Sequence, residues 1–284
     1  EQRAALESVM NATVSVITGG PGTGKTTLIQ CIAEVFASAG FRVCLAAPTG
    51  RAARRMSEVT GKSAHTIHKL LGYHFETRSF DKSPDDPIDA GVLIVDEASM
   101  IDADLMYHLI SATRLDARLI LVGDVFQLPP VGPGNILADL IESSCLPVHF
   151  LTEIFRQASQ SAIVRNAHRI RHGRPPEPDV LDLLAGTQEF CLVEAGRPEE
   201  AAEIIVGLAA RDLPETYGLS PGKDIQVLSP VHKGPAGTIS LNRSLQKAVN
   251  PGKKSMAGMD SDFRLHDRVM HLKNNYAKEV FNGD

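Results

Sequence analysis

One segment constrains this chain more than any other: Gly19-Gly20-Pro21-Gly22-Thr23-Gly24-Lys25-Thr26. It carries the G-x-x-x-x-G-K-[ST] pattern, follows the apolar run Val14–Thr18 and opens the helix-period segment Thr26–Ser38. A glycine-rich loop between strand and helix turns its backbone N–H groups inward, and the helix N-terminus behind it adds positive potential. The spacing therefore predicts a phosphate cradle made by Gly20, Pro21, Gly22, Thr23, Gly24, Lys25, Thr26 and Thr27, with ATP and Mg²⁺ as its ligands. Lys25 is expected to reach the β- and γ-phosphates, and the Thr26 hydroxyl to ligate the metal.

Four more short apolar runs, Val43–Ala47, Val92–Val95, Leu119–Val122 and His149–Leu151, are bounded by turn residues and read as buried parallel strands. Helix-period segments at Gly50–Glu58, Ala103–Ala112 and Asn135–Ile141 alternate with them. That order predicts an α/β doubly wound sheet. The polar stretch Tyr73–Ala90, with Tyr73, Phe75 and Phe80 at its start, breaks the alternation and is expected to protrude as a hairpin and loop. The alternation restarts after Arg156, with helices expected near Ser161–Arg171 and Glu199–Ala210, a Pro-rich turn at Arg174–Pro178 and a strand at Asp224–Ser229. Residues 1–152 are thus expected to form a first lobe, with the protrusion at 73–90, and 153–284 part of a second. Short strands at Arg268–Lys273 and Lys278–Phe281 suggest a small β module over about 251–284.

With 284 residues and 43% hydrophobic content, the chain can fill a core in each of two lobes. Its formal net charge of −5 gives no bulk attraction to a polyanion, so any nucleic-acid contact must be local. Cys31, Cys44, Cys145 and Cys191 lack paired short spacing and lie in stretches that suit buried, reduced thiols, which points to a cytoplasmic protein without structural zinc. No apolar run approaches the ~20 residues of a membrane span.

Val92-Leu93-Ile94-Val95-Asp96-Glu97 is an apolar strand ending in two carboxylates. Asp96 suits Mg²⁺ and Glu97 suits a water-polarising role, although acidic residues also favour helix starts. In Gly123–Pro130, glycine and two prolines forbid a helix, and Gln127 can donate to a phosphate and accept from water. Together with Ala47-Pro48-Thr49-Gly50-Arg51-Ala52-Ala53 and Leu151-Thr152-Glu153-Ile154-Phe155-Arg156-Gln157, these segments resemble, in order, the motifs of RecD-like helicases of superfamily 1. Ser229–Gly234 and Asn274–Tyr276 with Val280–Asp284 extend the resemblance to nearly the whole chain.

The resemblance implies RecA-like parallel sheets in two lobes and ATP-driven translocation on single-stranded DNA, 5′ to 3′, with unwinding at single-strand/duplex junctions in repair and recombination. It implies Arg156 as an arginine finger and Gln2 as an adenine-reading amide. It also implies nucleic-acid contacts by Pro48, Thr49, Arg51, Thr66, His68, His232 and Lys233, and a wedge at Tyr73–Ala90. Partners implied are the DNA strands and other subunits of a recombination nuclease complex, as in exodeoxyribonuclease V. The alternatives are a related superfamily 1 RNA motor, or the non-nuclease motor subunit of an exonuclease complex. Two later family motifs have no match before Asp284, so the expectation is a piece that binds nucleotide with at most trace turnover. Arg165, Arg169, Arg171 and Arg174 are read as a solvated basic helix face.

Overall fold

The structure is a computed structural model and describes residues 1–153, 161–177, 189–252 and 263–271. Two compact units divide the chain, Glu1–Pro175 with Met270–Asp284, and Pro176–Val269. The division lies beyond the residue 153 expected from the sequence.

The first unit is built on six strands: β1 (Val14–Gly19), β2 (Val43–Ala47), β3 (Ala64–Thr66), β6 (Val92–Val95), β7 (Arg118–Gly123) and β8 (Val148–Leu151). They form one parallel sheet in the order β3-β2-β6-β7-β1-β8. Adjacent side chains of a strand point to opposite faces, and both faces here are covered by helices. One face buries Ile17, Leu45, Val92, Ile94, Ile120 and Val122 against α1 (Gln2–Asn11), α2 (Lys25–Ser38) and α3 (Gly50–Thr60). The other buries Val16, Ala46, Leu93, Val95, Leu119 and Leu121 against α4 (Ile67–Leu70), α5 (Ala103–Ser111) and α6 (Ile136–Glu142). The apolar runs are continuous because each strand must satisfy two cores. β3, with only half-buried residues at the sheet edge, lacked that signal.

The expected protrusion is a hairpin of β4 (Tyr73–His74) and β5 (Ser79–Phe80), paired antiparallel. Its stem carries an aromatic cluster: Tyr73 lies 4.9 Å from Phe80 and 5.2 Å from His68, and Phe80 lies 4.4 Å from His108. Phe75 at the tip is exposed. The stretch is re-anchored at Ile88 and Ala90, both buried in the core.

Helix α7 (Ala162–Arg171) packs with the first unit. In the second unit, α8 (Pro198–Gly207) runs through a π-helical turn at Leu208–Asp212 into α9 (Leu213–Tyr217), and α10 (Thr238–Val249) packs on α8 and that turn. Pro214 has no amide hydrogen, so the helix register cannot continue unbroken there. The strand expected at Asp224–Ser229 is not formed. Its residues alternate between half-buried and exposed, so it has one sheltered face rather than the two an interior parallel strand needs, and no ladder holds it. Arg268–His271 likewise forms no strand, and the rest of the expected β module lies outside the described residues.

The cysteines also depart from expectation: Cys31, Cys145 and Cys191 are exposed, and only Cys44 is half-buried. The buried positions of α2 are Leu28, Ile29, Ile32, Ala33 and Phe36, a stripe that leaves Cys31 on the opposite side. Desolvation raises the Cys44 thiol above its usual value. Among the described residues no cluster of His, Cys, Asp or Glu forms a metal site, and no helix is long and apolar enough to cross a membrane.

Ile94 is fully buried in the middle of the sheet. Ile94→Ala should lower the unfolding free energy by about 2–5 kcal/mol, and Leu115→Ala, at a fully exposed position, should leave it unchanged. Chemical denaturation of both variants checks this.

Candidate functional site: a phosphate-binding loop at the sheet's carboxyl edge

Because all six strands run the same way, their carboxyl ends share one edge, where α/β sheets bind ligands. β1 delivers Gly19 to this edge, β6 delivers Asp96 and β7 delivers Asp124. Register aligns them: Thr18 pairs with Gly123, and Val95 with Leu121.

Gly22 (φ 76°) and Gly24 (φ 82°) adopt left-handed conformations that let the loop wrap back on itself. A side chain at Gly19 would collide with the Leu151 carbonyl, 2.8 Å from a Cβ there. The Thr23 hydroxyl, buried, donates to the Gly20 carbonyl at 2.9 Å and braces the loop. The Lys25 ammonium donates to the carbonyls of Gly19 (2.7 Å) and Gly20 (3.0 Å). Desolvation lowers the Lys25 pKa, and the charges of Asp124, Glu97 and Asp96 oppose that shift. Gln2 donates long bonds to the carbonyls of Thr23 (3.5 Å) and Gly24 (3.4 Å), which fixes α1 against the loop. Thr26 and Thr27 open α2, half-buried and exposed respectively.

Asp96 follows β6 directly and accepts from the Glu97 amide at 2.9 Å. Glu97 itself is left-handed (φ 51°), a conformation that costs a non-glycine residue about 1–3 kcal/mol and concentrates at functional sites. One of its carboxylate oxygens, Oε2, is buried without a hydrogen bond. Desolvation raises the pKa of both carboxyls, and Asp96 raises that of Glu97 further. Lys25 and Arg55 act in the opposite direction on both.

Asp124 was passed over in the sequence. It is buried at the end of β7, accepts from the Phe126 amide at 3.1 Å and is the leading charge acting on Lys25. The available signal was an acidic residue one glycine beyond the apolar run Leu119–Val122. Gln127 lies in the exposed turn that follows, its amide hydrogen-bonded to the Asp124 carbonyl. Arg156 lies outside the described residues.

The residues expected to meet nucleic acid divide between the two units. In the first, Pro48, Thr49 and Arg51 follow β2, and Thr66 ends β3 beside it, its partner in the ladder being Ala47. The hydroxyls of Thr49 and Thr66 cap α3 and α4 by accepting from Ala52 and Lys69 amides, each at 3.2 Å. His68 supports the aromatic stem of the hairpin, and desolvation lowers its pKa. In the second unit, His232 and Lys233 are exposed in the loop before α10, where His232 hydrogen-bonds the Thr238 hydroxyl at 3.1 Å.

A Gly-Lys-Thr loop facing strand-end carboxylates at the carboxyl edge of a parallel sheet defines a P-loop nucleotide-binding protein. Residues 1–190 match the family described as AAA domain, and residues 241–284 match the SH3 domain of ATP-dependent RecD-like DNA helicases. Over its whole length the chain is 40% identical to the ATP-dependent RecD2 DNA helicase of Deinococcus radiodurans, covering 37% of that protein. It is 32% identical to the RecBCD enzyme subunit RecD of Mycolicibacterium smegmatis, covering 56% of it. The chain thus spans between a third and three-fifths of these curated relatives. A solved structure of Pif1 helicases shares the fold, at 20% identity and a TM-score of 0.52 over 99% of this chain and 68% of the other. The chain belongs to the RecD-like helicase family.

The raised Glu97 pKa makes a prediction about stability. A carboxyl raised in the folded state contributes stability that is complete below its ordinary pKa and is lost as pH rises through the raised value. Glu97→Gln should therefore melt above the parent near neutral pH, and the gap should close as the pH falls to about 4. Melting curves across that range check it. A constant gap would mean that Glu97 ionises normally.

Proposed function

We propose that this chain is the motor portion of an ATP-dependent DNA helicase, translocating on single-stranded DNA and opening duplexes at junctions. The observation that carries the reading is the meeting of Lys25, Asp96, Glu97 and Asp124 around one glycine-rich loop. Residues 1–152 then form the first motor domain and 153–284 part of the second, including the start of a small β-barrel insertion at about 251–284, with α7 the portion of the second that lies against the first unit.

In this reading Gly20–Thr27 hold the nucleotide phosphates, Lys25 neutralises the β- and γ-phosphates, and Gln2 reads the adenine edge from α1. The donor set suits Mg²⁺, since Asp96 and the Thr26 hydroxyl are oxygen ligands and hard cations prefer oxygen. The metal would add charge neutralisation at the phosphates. Glu97 polarises and orients the attacking water. Its unpartnered, desolvated oxygen supports that role, because a carboxylate with unmet acceptor capacity binds a water hydrogen strongly. Gln127 donates to the terminal phosphate and Arg156 supplies an arginine finger.

DNA phosphates meet the strand ends at Pro48, Thr49, Arg51, Thr66 and His68 in one unit and the loop of His232 and Lys233 in the other. The exposed Phe75 at the hairpin tip offers a ring to stack on the first parted base pair. The similarity to RecD subunits supports association with other subunits of a recombination nuclease.

Two experiments test the reading. Lys25→Ala should abolish Mg-ATP binding in equilibrium titrations without lowering the melting temperature, because the ammonium it removes is desolvated. Binding equal to the parent's would sink the P-loop assignment. In the complete protein, replacing residues 74–79 by a Gly-Ser turn, with the stem and the buried Ile88 and Ala90 kept, should preserve DNA-stimulated ATPase and eliminate unwinding of a tailed duplex. Retained unwinding rules the hairpin out as the wedge.

A further inference from the structure

Helix α7 carries a basic residue that a solvated face does not explain. His168 and Arg171 are three apart, so they share one side of the helix, and that side faces the phosphate-binding loop. His168 Nε2 lies 3.5 Å from the Pro21 carbonyl oxygen. The Arg171 guanidinium stacks over the Phe126 ring, with its central carbon 4.0 Å from the ring centre. Its Nη1 lies against Gly20, so close that a side chain at that glycine would overlap it. Arg171 Nε is buried and has no hydrogen-bond partner.

These facts fit a phosphate ligand better than a structural role. An arginine held for packing alone would have its buried N–H satisfied by the protein. Here the cation is fixed by a ring stack, which uses its face and leaves its edge N–H groups available, the geometry that suits bidentate contact with phosphate. The side chain also sits at the correct end of the loop. Lys25, which in such loops reaches the β- and γ-phosphates, donates to Gly19 and Gly20, and Arg171 adjoins the same Gly20. Its charge is felt at Lys25. The two cations repel one another across the loop, and an anion bound between them relieves that repulsion.

We propose that Arg171 is a further nucleotide-binding residue, which contacts the terminal phosphate of a bound nucleoside triphosphate and, through its stack on Phe126, ties that contact to the turn carrying Gln127. The proposal rests on the reading of the loop as an ATP site. It makes α7 a sensor of the third phosphate: a triphosphate engages Arg171 and a diphosphate does not.

The test is equilibrium binding, with Mg²⁺, of fluorescent ADP and of a fluorescent non-hydrolysable ATP analogue to the parent, Arg171→Ala, Arg171→Lys, Phe126→Leu and Lys25→Ala. Arg171→Ala should weaken the triphosphate analogue by about ten- to a hundredfold and change ADP less than about twofold. Arg171→Lys, which keeps the charge but not the fork, should lose part of that preference. Phe126→Leu leaves the guanidinium in place and removes only its platform, so a smaller loss confined to the triphosphate is expected even if Arg171→Ala fails to fold. Equal losses for both nucleotides, no loss, or tighter triphosphate binding by Arg171→Ala would each overturn the proposal, the last because it identifies a plug. If the parent binds neither nucleotide, or Lys25→Ala binds both normally, the ATP-site reading falls as well. Lost binding in Lys25→Ala with an unselective Arg171→Ala refutes only the role of Arg171.

Discussion

The site depends on the parallel direction of the strands. An antiparallel neighbour would carry its following loop to the opposite edge, and Gly19, Asp96 and Asp124 would never meet. Parallel pairing forces a crossover between strands, which is why helices alternate with strands along the chain and why both sheet faces are covered. Hence the same constraint shapes the core and the chemistry. The two cores clamp β1, β6 and β7 in register, and the loop that follows each strand inherits its position to within about a residue.

Charge is gathered at this edge against solvation. Lys25 is desolvated, Glu97 and Asp96 are held above the usual carboxylate range, and Glu97 is twisted into a left-handed conformation with one oxygen unpaired. Each feature opposes folding. They are tolerated because the sheet beneath, with residues such as Ile17, Ile94 and Ile120 fully buried, is stable enough to impose them. Strain and unmet hydrogen-bonding capacity then become binding capacity for phosphate and water.

What the sequence disclosed follows the same physics. β1, β2, β6 and β7 were legible because double-sided burial writes continuous apolar runs, β8 at the edge because Val148, Phe150 and Leu151 are strand-forming residues, and the loop because its glycines are required for backbone reasons. β3 was not, being half-buried at the edge. Asp224–Ser229 misled because Ile225, Val227 and Leu228 are strand-like residues, while pairing depends on a neighbour that residue type does not reveal. Asp96 and Glu97 announced themselves as a pair after an apolar strand, whereas Asp124, alone between Gly123 and Val125, looked like turn chemistry. The arginines of α7 looked interchangeable, since helical periodicity identifies which residues share a side but not what that side meets.

The strand order has a consequence for how the molecule comes into being. β2 pairs with β6 through Val43 and Val92, about fifty residues apart, but β1 finds its neighbours only at Leu119 and Val148. On a ribosome adding ~5–20 residues per second, β1 waits roughly 5–20 s for β7 to be synthesised. Through that interval its apolar residues and both backbone edges stay unpaired, a ready template for association with other nascent chains. The phosphate-binding loop therefore meets the strand-end carboxylates only once β7 has been made, roughly a hundred residues after β1, and whatever covers Val14–Gly19 until then guards the lobe against association.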